Sequence, residues 1–211
     1  MLVQKLGHAC LLVTAESGNR VLIDPGVWSD GFEDLTDLSG VLITHQHADH
    51  LDVDRLRTLL AANPRALVLA DPDSATILRE RGIDATVAEH SHSYDVNGVT
   101  VDGVGRTHAQ IHPDIPLVPN VGYVVAEQLF HPGDALTVPD RAVDVLALPA
   151  GAPWVKSGEV IDFLRAVSPR VAVPIHERTL ARPEMEYSRY TSLAPVGTEI
   201  VVIDDGRPQT F

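Results

Sequence analysis

Apolar positions along the chain switch between two periods. Short apolar runs at Met1–Leu6, Ala9–Thr14 and Arg20–Asp24, parted by Gly7 and by Ser17-Gly18-Asn19, predict three strands in a β-meander. A loop from Asp24-Pro25-Gly26 through Trp28 and Phe32 leads to a fourth strand at Gly40–Thr44. At Leu51–Ala62 the period becomes helical, with Leu51, Leu56, Leu59 and Leu60 as its apolar positions and Asn63-Pro64 as the stop. Strands at Ala66–Ala70 and Ala85–Ala88 then flank a helix from Pro72 to Arg81. A further pair, near Tyr94–Val96 and Val99–Val104, flanks the hairpin signal Asn97-Gly98.

The second half repeats this style without clear sequence identity. It reads as strands Gly122–Ala126 and Leu129–His131 around a turn at Glu127-Gln128, a strand at Val143–Leu148, a helix at Ser157–Val167 and a strand at Val171–Pro174. A helix near Thr179–Ser188 and a strand at Ile200–Ile203 close the chain. Many short apolar strands feeding helices need both sheet faces covered, which predicts an α/β fold: an αββα sandwich of two mixed β-sheets flanked by helices. The 211 residues fit one domain, 1–211, and no composition shift marks a second.

Composition narrows the partners. Apolar residues make up 45% of the chain and aromatic ones only 5%, so the core is expected to be aliphatic. A formal charge of -13 repels phosphate backbones, which argues against long nucleic acids and anionic membranes and leaves a small-molecule substrate as the expected partner. Homo-oligomerisation is left open. The one cysteine, Cys10, excludes an internal disulfide framework and a thiolate metal cluster and points to a reducing compartment. Gly7-His8-Ala9-Cys10 loosely resembles a lipoprotein cleavage site, but Gln4, Lys5 and His8 break the run of roughly 7–15 apolar residues that a signal peptide needs. No segment approaches the ~18 apolar residues that span a bilayer, so a soluble, cytoplasmic protein is expected. Ten histidines against sixteen Lys plus Arg direct attention to metal binding, because neutral imidazole is the commonest transition-metal ligand.

The histidines concentrate in Thr44-His45-Gln46-His47-Ala48-Asp49-His50-Leu51, directly behind the apolar run Val41-Leu42-Ile43. Each buried imidazole or carboxylate needs a partner to offset its desolvation, and a shared cation supplies one. In an extended loop His45 and His47 point the same way and can clamp one ion, while Asp49 and His50, past a bend at a helix start, can face a second. The bland alternative is a polar helix N-terminus with Asp49 as its cap and the histidines solvated.

This segment resembles the HxHxDH motif of the metallo-β-lactamase superfamily, and Asp24 in Val21-Leu22-Ile23-Asp24-Pro25-Gly26 resembles the superfamily's upstream aspartate. The resemblance implies a further His, Asp and His, each after a strand. His108 follows Val99–Val104 and is preferred to its competitor His112 because it lies nearer the strand end. Asp134 in His131-Pro132-Gly133-Asp134 resembles the Gly-Asp motif of the bridging carboxylate, and His176 ends the run Val171–Ile175. The implied set is His45, His47 and His108 on one ion, Asp49, His50 and His176 on the other, and Asp134 shared. Nitrogen and oxygen donors without thiolate suit two zinc ions per chain, with manganese or iron as alternatives. His47, standing where the superfamily's diiron flavoproteins have Glu, favours zinc.

The resemblance also implies an activity. Two adjacent cations can lower the pKa of bound water from ~15.7 toward ~7, and the resulting hydroxide attacks an ester, lactone, amide or phosphodiester. Asp49 is the candidate catalytic residue, relaying a proton besides ligating. Two rival readings stand beside this one: a phosphodiesterase or nuclease acting on nucleotides, and a non-catalytic metal-binding regulatory module. The run Arg106-Thr107-His108-Ala109-Gln110-Ile111-His112 lacks the Thr-Pro-Gly-His-Thr of glyoxalase II, so the resemblance is nearest to the compact L-ascorbate-6-phosphate lactonase-like branch. Loops at the ligand-bearing strand ends would place Trp28, Phe32, His112 to Pro116 and Ala152-Pro153-Trp154 as an apolar rim, with His112 and Trp154 as candidate substrate contacts. A tryptophan packed under a helix start is the alternative for Trp154. His8 and His131 are expected near the site without being counted as ligands, and His90 and His92 are expected to be solvated.

Overall fold

Strands β1 (Leu2–Lys5), β2 (Leu11–Thr14) and β3 (Arg20–Ile23) form the expected antiparallel meander. It continues in parallel through β4 (Leu38–Ile43), β5 (Leu67–Ala70) and β6 (Thr86–Val87), with helices α1 (Val53–Ala62) and α2 (Pro72–Glu80) as crossovers. The second sheet follows the same plan. Antiparallel β7 (Ser93–Asp95), β8 (Thr100–Val104), β9 (Gly122–Val125) and β10 (Leu129–His131) precede parallel β11 (Val145–Pro149), β12 (Val171–Ile175) and β13 (Glu199–Ile200). Its crossovers are α3 (Ser157–Val167) and α4 (Pro183–Leu193). A last strand, β14 (Gln209–Thr210), pairs with β1 at the edge of the first sheet. This computed structural model describes residues 1–204 and 206–211.

Side-chain alternation sorts each strand between two layers. Val3, Leu11, Val13, Val21, Ile23 and Leu42 of the first sheet meet Val101, Tyr123, Val125, Val145, Ala147 and Val173 of the second in one buried cluster. The opposite faces are covered by helices. Leu12, Leu22, Val41 and Ile43 pack with Leu56, Leu59 and Leu78 of α1 and α2, while Val124, Phe130, Leu146 and Ala172 pack with Val160, Phe163, Leu164 and Tyr190 of α3 and α4. The result is the expected αββα sandwich, with an aliphatic core in which each fully buried Leu or Val is worth roughly 1.5–3 kcal/mol. Among the described residues no helix is long and apolar enough to cross a membrane.

Asn97 and Gly98 both take positive φ, 47° and 89°, the two-residue turn whose twist matches the β7–β8 hairpin. Most strand ends shift by one or two residues from the sequence reading, and three differences are larger or bear on the site. Helix α1 starts at Val53, because the Asp52 side chain accepts from the Arg55 N–H at 3.1 Å and acts as the cap. Asp49 and His50 therefore lie in a turn before the helix, closed by the His50 and Leu51 N–H groups on the His47 carbonyl. The last helix starts at Pro183, which suits a first turn, and Glu177–Thr179 is a separate 3-10 turn. The Ile200–Ile203 run pairs only at Glu199–Ile200, and the polar β14 carries no apolar alternation that would announce it.

Helix α2 is capped by buried Asp71, whose Oδ1 accepts from the Asp73 and Ser74 N–H groups at 3.0 and 3.3 Å. Burial outweighs these bonds and pushes its carboxyl up to about 6. A folded-state value above the unfolded value of about 3.9 means that ionisation destabilises the fold, so this contribution is lost as pH rises from about 4 through about 6. Asp71→Asn keeps the cap and removes the charge. It is expected to gain about 2–3 kcal/mol on the native protein between pH 4 and pH 8 in urea unfolding, and a pH-independent difference would contradict the assignment.

Candidate metal centre

Loops following the parallel strands of both sheets meet at one edge of the sandwich. Asp24 follows β3, Thr44 and His45 follow β4, and His176 follows β12, while the turn after β10 carries Asp134. Two groups of potential ligand atoms result, each with its atoms within 4.8 Å of one another: His45, His47, His108 and Asp134, and His8, Asp49, His50 and His176. His45 Nε2 and His47 Nδ1 are 3.1 Å apart. Asp134 stands between the groups: Oδ1 is 3.1 Å from His50 Nε2, while Oδ2 is 3.1 Å from His176 Nε2 and 3.4 Å from His108 Nε2. Asp49 Oδ2 is 3.4 Å from His176 Nε2 and 3.9 Å from His50 Nε2. All seven side chains singled out from the sequence thus converge.

The wiring of the rings fits cations. His50 Nδ1 donates to Asp24 Oδ2 at 2.7 Å, His108 Nδ1 to the Ala109 carbonyl at 2.5 Å, and His176 Nδ1 to the Gly151 carbonyl at 2.9 Å. His45 Nδ1 lies 3.1 Å from the Thr44 hydroxyl, which itself donates to Asp24 at 2.7 Å. With Nδ1 tied outward, each Nε2 faces inward, the arrangement that orients a histidine for a metal. His50, His108 and His176 Nε2 and Asp134 Oδ1 are buried without any hydrogen-bond partner. Buried polar atoms left in this state cost about 1–3 kcal/mol each, and a cation between them removes the deficit.

Strained and glycine-only backbone holds the groups in place. Asp24 and His176 are left-handed at φ 50° and 63°, conformations that non-glycine residues sustain only where the surroundings enforce them. A Cβ on Gly26 would lie 1.9 Å from the Asp49 carbonyl oxygen, so only glycine lets this loop pack under the ligand turn. Asn120 locks the Asp134 turn by donating to the Pro132 carbonyl and accepting from the Asp134 N–H, at 2.9 and 3.0 Å. His131, fully buried, donates to the Ala9 carbonyl and accepts from the Gly133 N–H, so it supports the same turn.

Electrostatics divide the imidazoles. Burial holds His45 and His47 below the ordinary histidine value, which keeps them neutral. Burial also disfavours charge on His50 and His176, but Asp134 outweighs it, with Asp24 and Asp49 assisting, and raises His50 well above its ordinary value and His176 to about 9. In return, although burial opposes their ionisation, His50 and His176 hold the Asp134 carboxyl well below the carboxylate range, and the adjacent His176 and His8 rings do so for Asp49. Metal uptake must displace these imidazole protons.

The expected substrate contacts fare differently. Trp154 is buried and its indole N–H donates to Asp134 Oδ2 at 2.8 Å, so it holds a cluster carboxylate. His112 turns outward, its side chain 61% exposed, with Nδ1 accepting from the Asp114 N–H; it is outside the cluster. Phe32 is buried under the Arg55 guanidinium, 4.2 Å from its ring centre, and so is no rim residue. Trp28 is 41% exposed and stands edge-on to His8 at 4.8 Å. His92 is exposed as expected, whereas His90 is half-buried and accepts from the Gly105 N–H. Sequence reasoning missed Thr44 and Asn120, which carry no motif, and kept His8 outside the ligand groups although it lies in one of them. A cavity of about 720 Å³ opens behind Gly7 and Glu177 and includes none of the clustered side chains.

Residues 2–176 match the family model described as a beta-lactamase superfamily domain. Protein Rv0786c of Mycobacterium tuberculosis is 46% identical over the full length of both chains. The UPF0173 metal-dependent hydrolase MJ1163 of Methanocaldococcus jannaschii is 25% identical, with 96% of each chain covered. Among solved structures, Igni18, a metallo hydrolase from Ignicoccus hospitalis, superposes with a TM-score of 0.73 at 21% identity, covering 100% of this chain and 98% of that one.

Proposed function

Since this chain belongs to the beta-lactamase superfamily, we propose that it is a metal-dependent hydrolase that cleaves a small ester, lactone or amide at the paired histidine and aspartate groups. The observation that carries the reading is the set of buried atoms, His50, His108 and His176 Nε2 and Asp134 Oδ1, that crowd together at the sheet edge without forming hydrogen bonds. His45, His47 and His108 would hold one ion and Asp49, His50 and His176 the other, with Asp134 shared. The thiolate-free donor set suits zinc, and manganese and iron suit the same atoms. Bound divalent ions would supply Lewis acidity toward the scissile carbonyl and acidify water.

The protein side chains do the rest. Asp49 has a partly exposed side chain, 20%, so it touches both the buried cluster and the solvent side. Its carboxyl stays ionised and can accept a hydrogen bond from the attacking water, which orients it. Beside His47 and His108 the crevice is walled by Ile111, Ile115, Pro116, Leu117 and Val118, with no Lys or Arg in that wall. Ile115 and Leu117 are 47% and 52% exposed, and Val27 and Trp28 are exposed on the loop beside His8. Such a rim favours an uncharged substrate with an apolar group over a nucleotide or another phosphate ester. The compact lactonase-like branch, a cytoplasmic setting and a small-molecule partner accord with this reading.

Purified protein loaded with zinc is expected to hydrolyse aryl esters or lactones of increasing acyl length in preference to bis-aryl phosphodiesters. Asp49→Ala is expected to lose bound metal and turnover while keeping its circular dichroism, because both sheets have their own aliphatic core. Elemental analysis and a hydrolysis panel check both points. Two full metal equivalents in the Asp49→Ala protein would contradict the ligand assignment, and silence across the panel with metal bound would favour a non-catalytic metal-binding module.

A further inference from the structure

His8 is wired in the opposite sense to the other clustered histidines. In His50, His108 and His176 the Nδ1 atom is tied to a neighbour and Nε2 faces Asp134 without a hydrogen bond, whereas His8 uses Nε2 to bond Asp49 Oδ2 at 3.1 Å and its Nδ1 is buried without a partner. A carboxylate can only accept, so His8 Nε2–H donates to Asp49. Three arrangements fix this contact. His8 is left-handed at φ 46° behind Gly7 at φ 98°, where a Cβ on Gly7 would lie 2.8 Å from Arg178 Nη2 and 3.0 Å from the Trp28 carbonyl oxygen. The His8 carbonyl accepts from the His176 N–H at 3.2 Å, and buried Lys5 bonds the Pro174 carbonyl and Glu177, so the turns carrying His8 and His176 are tied on two sides. The His8 ring, fully buried, packs 4.1 Å from the His176 ring and edge-on to Trp28.

Of the three non-glycine residues near the cluster with positive φ, Asp24 orients His50 and His176 belongs to the cluster itself. The third is His8, and strain of this kind persists where the surrounding structure has a use for it. Resting on the metal-centre reading above, we propose that His8 is a positioning residue that holds the Asp49 carboxylate in place for the second ion and is not itself a ligand. Asp49 needs such a holder: it is the most exposed of the second group, and it lies in a turn outside the helices and strands. A donor behind a ligating carboxylate raises the affinity of its site and leaves the neighbouring site alone.

The test is titration of chelator-stripped protein with cobalt(II), followed by calorimetry and by the cobalt absorption bands. In His8→Ala the second equivalent is expected to bind about 10- to 100-fold more weakly with the first unchanged. His8→Gln, whose side-chain amide N–H can replace the imidazole Nε2–H toward Asp49, is expected to restore most of that affinity with native-like bands. Unchanged binding of both equivalents by His8→Ala would overturn the proposal. Equal loss in both variants would overturn it too, since it would make His8 a ligand. Melting of the stripped variants separates misfolding from loss of the site: His8→Gln that melts with the native protein yet recovers no affinity counts against positioning. Failure of the native protein to take up cobalt would defeat the metal-centre reading and this proposal with it, and is distinguishable because it does not depend on the variants.

Discussion

Asp134→Ala is expected to reduce divalent-metal uptake to less than one tight equivalent and to lower kcat/KM by more than the roughly 100- to 1000-fold that loss of one oxyanion donor costs elsewhere. Asp134 lies within 3.4 Å of His50, His108 and His176 Nε2 and is the carboxylate that contacts both ligand groups. Removing it leaves Trp154 N–H, a buried donor, without its acceptor and leaves His45, His47 and His108 with no carboxylate in their group. Asp134→Asn separates charge from shape. It retains volume and an acceptor for Trp154 but only half the ligating oxygens, so it should keep the fold while still losing metal. Inductively coupled plasma analysis and steady-state kinetics read the result. Near-native metal content in Asp134→Ala would mean that the two groups do not share this side chain.

Asp24→Ala should be the most destabilising change near the site that removes no proposed ligand. Asp24 is fully buried and accepts from the Thr44 N–H at 2.8 Å, the Thr44 hydroxyl at 2.7 Å and His50 Nδ1 at 2.7 Å. Alanine strands three buried donors and leaves the left-handed φ of 50° unfavourable for its Cβ. With about 1–3 kcal/mol for each orphaned group, and less than full additivity, the loss should be about 3–5 kcal/mol. For a chain of this size that corresponds to a fall in Tm of roughly 10 °C, measured with chelator so that metal does not contribute. His50 also loses its outer anchor, so metal affinity should fall with stability. A melting temperature within about 2 °C of the native protein would show that Thr44 and His50 find other partners.

Much of the site was legible because its densest part is local. His45, His47, Asp49 and His50 fall within one loop behind an apolar strand, and a strand followed by a tight turn announces Asp134 and His176 at a distance. The choice of His108 over His112 followed from nearness to the end of β8, and the structure brings His108 into the cluster while His112 faces solvent. The roles of Trp154, Thr44 and Asn120 are not legible in the sequence for a common reason. Each acts through hydrogen bonds to a residue distant in sequence or to an adjoining turn, and residue type alone does not reveal where such a group will find its partner. His8 is expected near the site, but nothing local in the sequence shows that its ring reaches Asp49, 41 positions away.

Periodicity and turn chemistry act over a few residues, so every strand but β14, most helix bounds, the layered class and the central ligand run could be read from the chain one stretch at a time. Strand order could not, because pairing β14 with β1 and seating both sheets' loops at a single edge depends on contacts between segments up to the full chain length apart. That non-local packing brings Asp134 between two sets of histidines, turns Trp154 from a rim candidate into the donor on Asp134, and places His8 against Asp49 across 41 positions of sequence. Burial and neighbouring carboxylates then act in opposite senses on each ring: burial holds His45 below the ordinary histidine value, whereas Asp134 and Asp24 raise His50 above it.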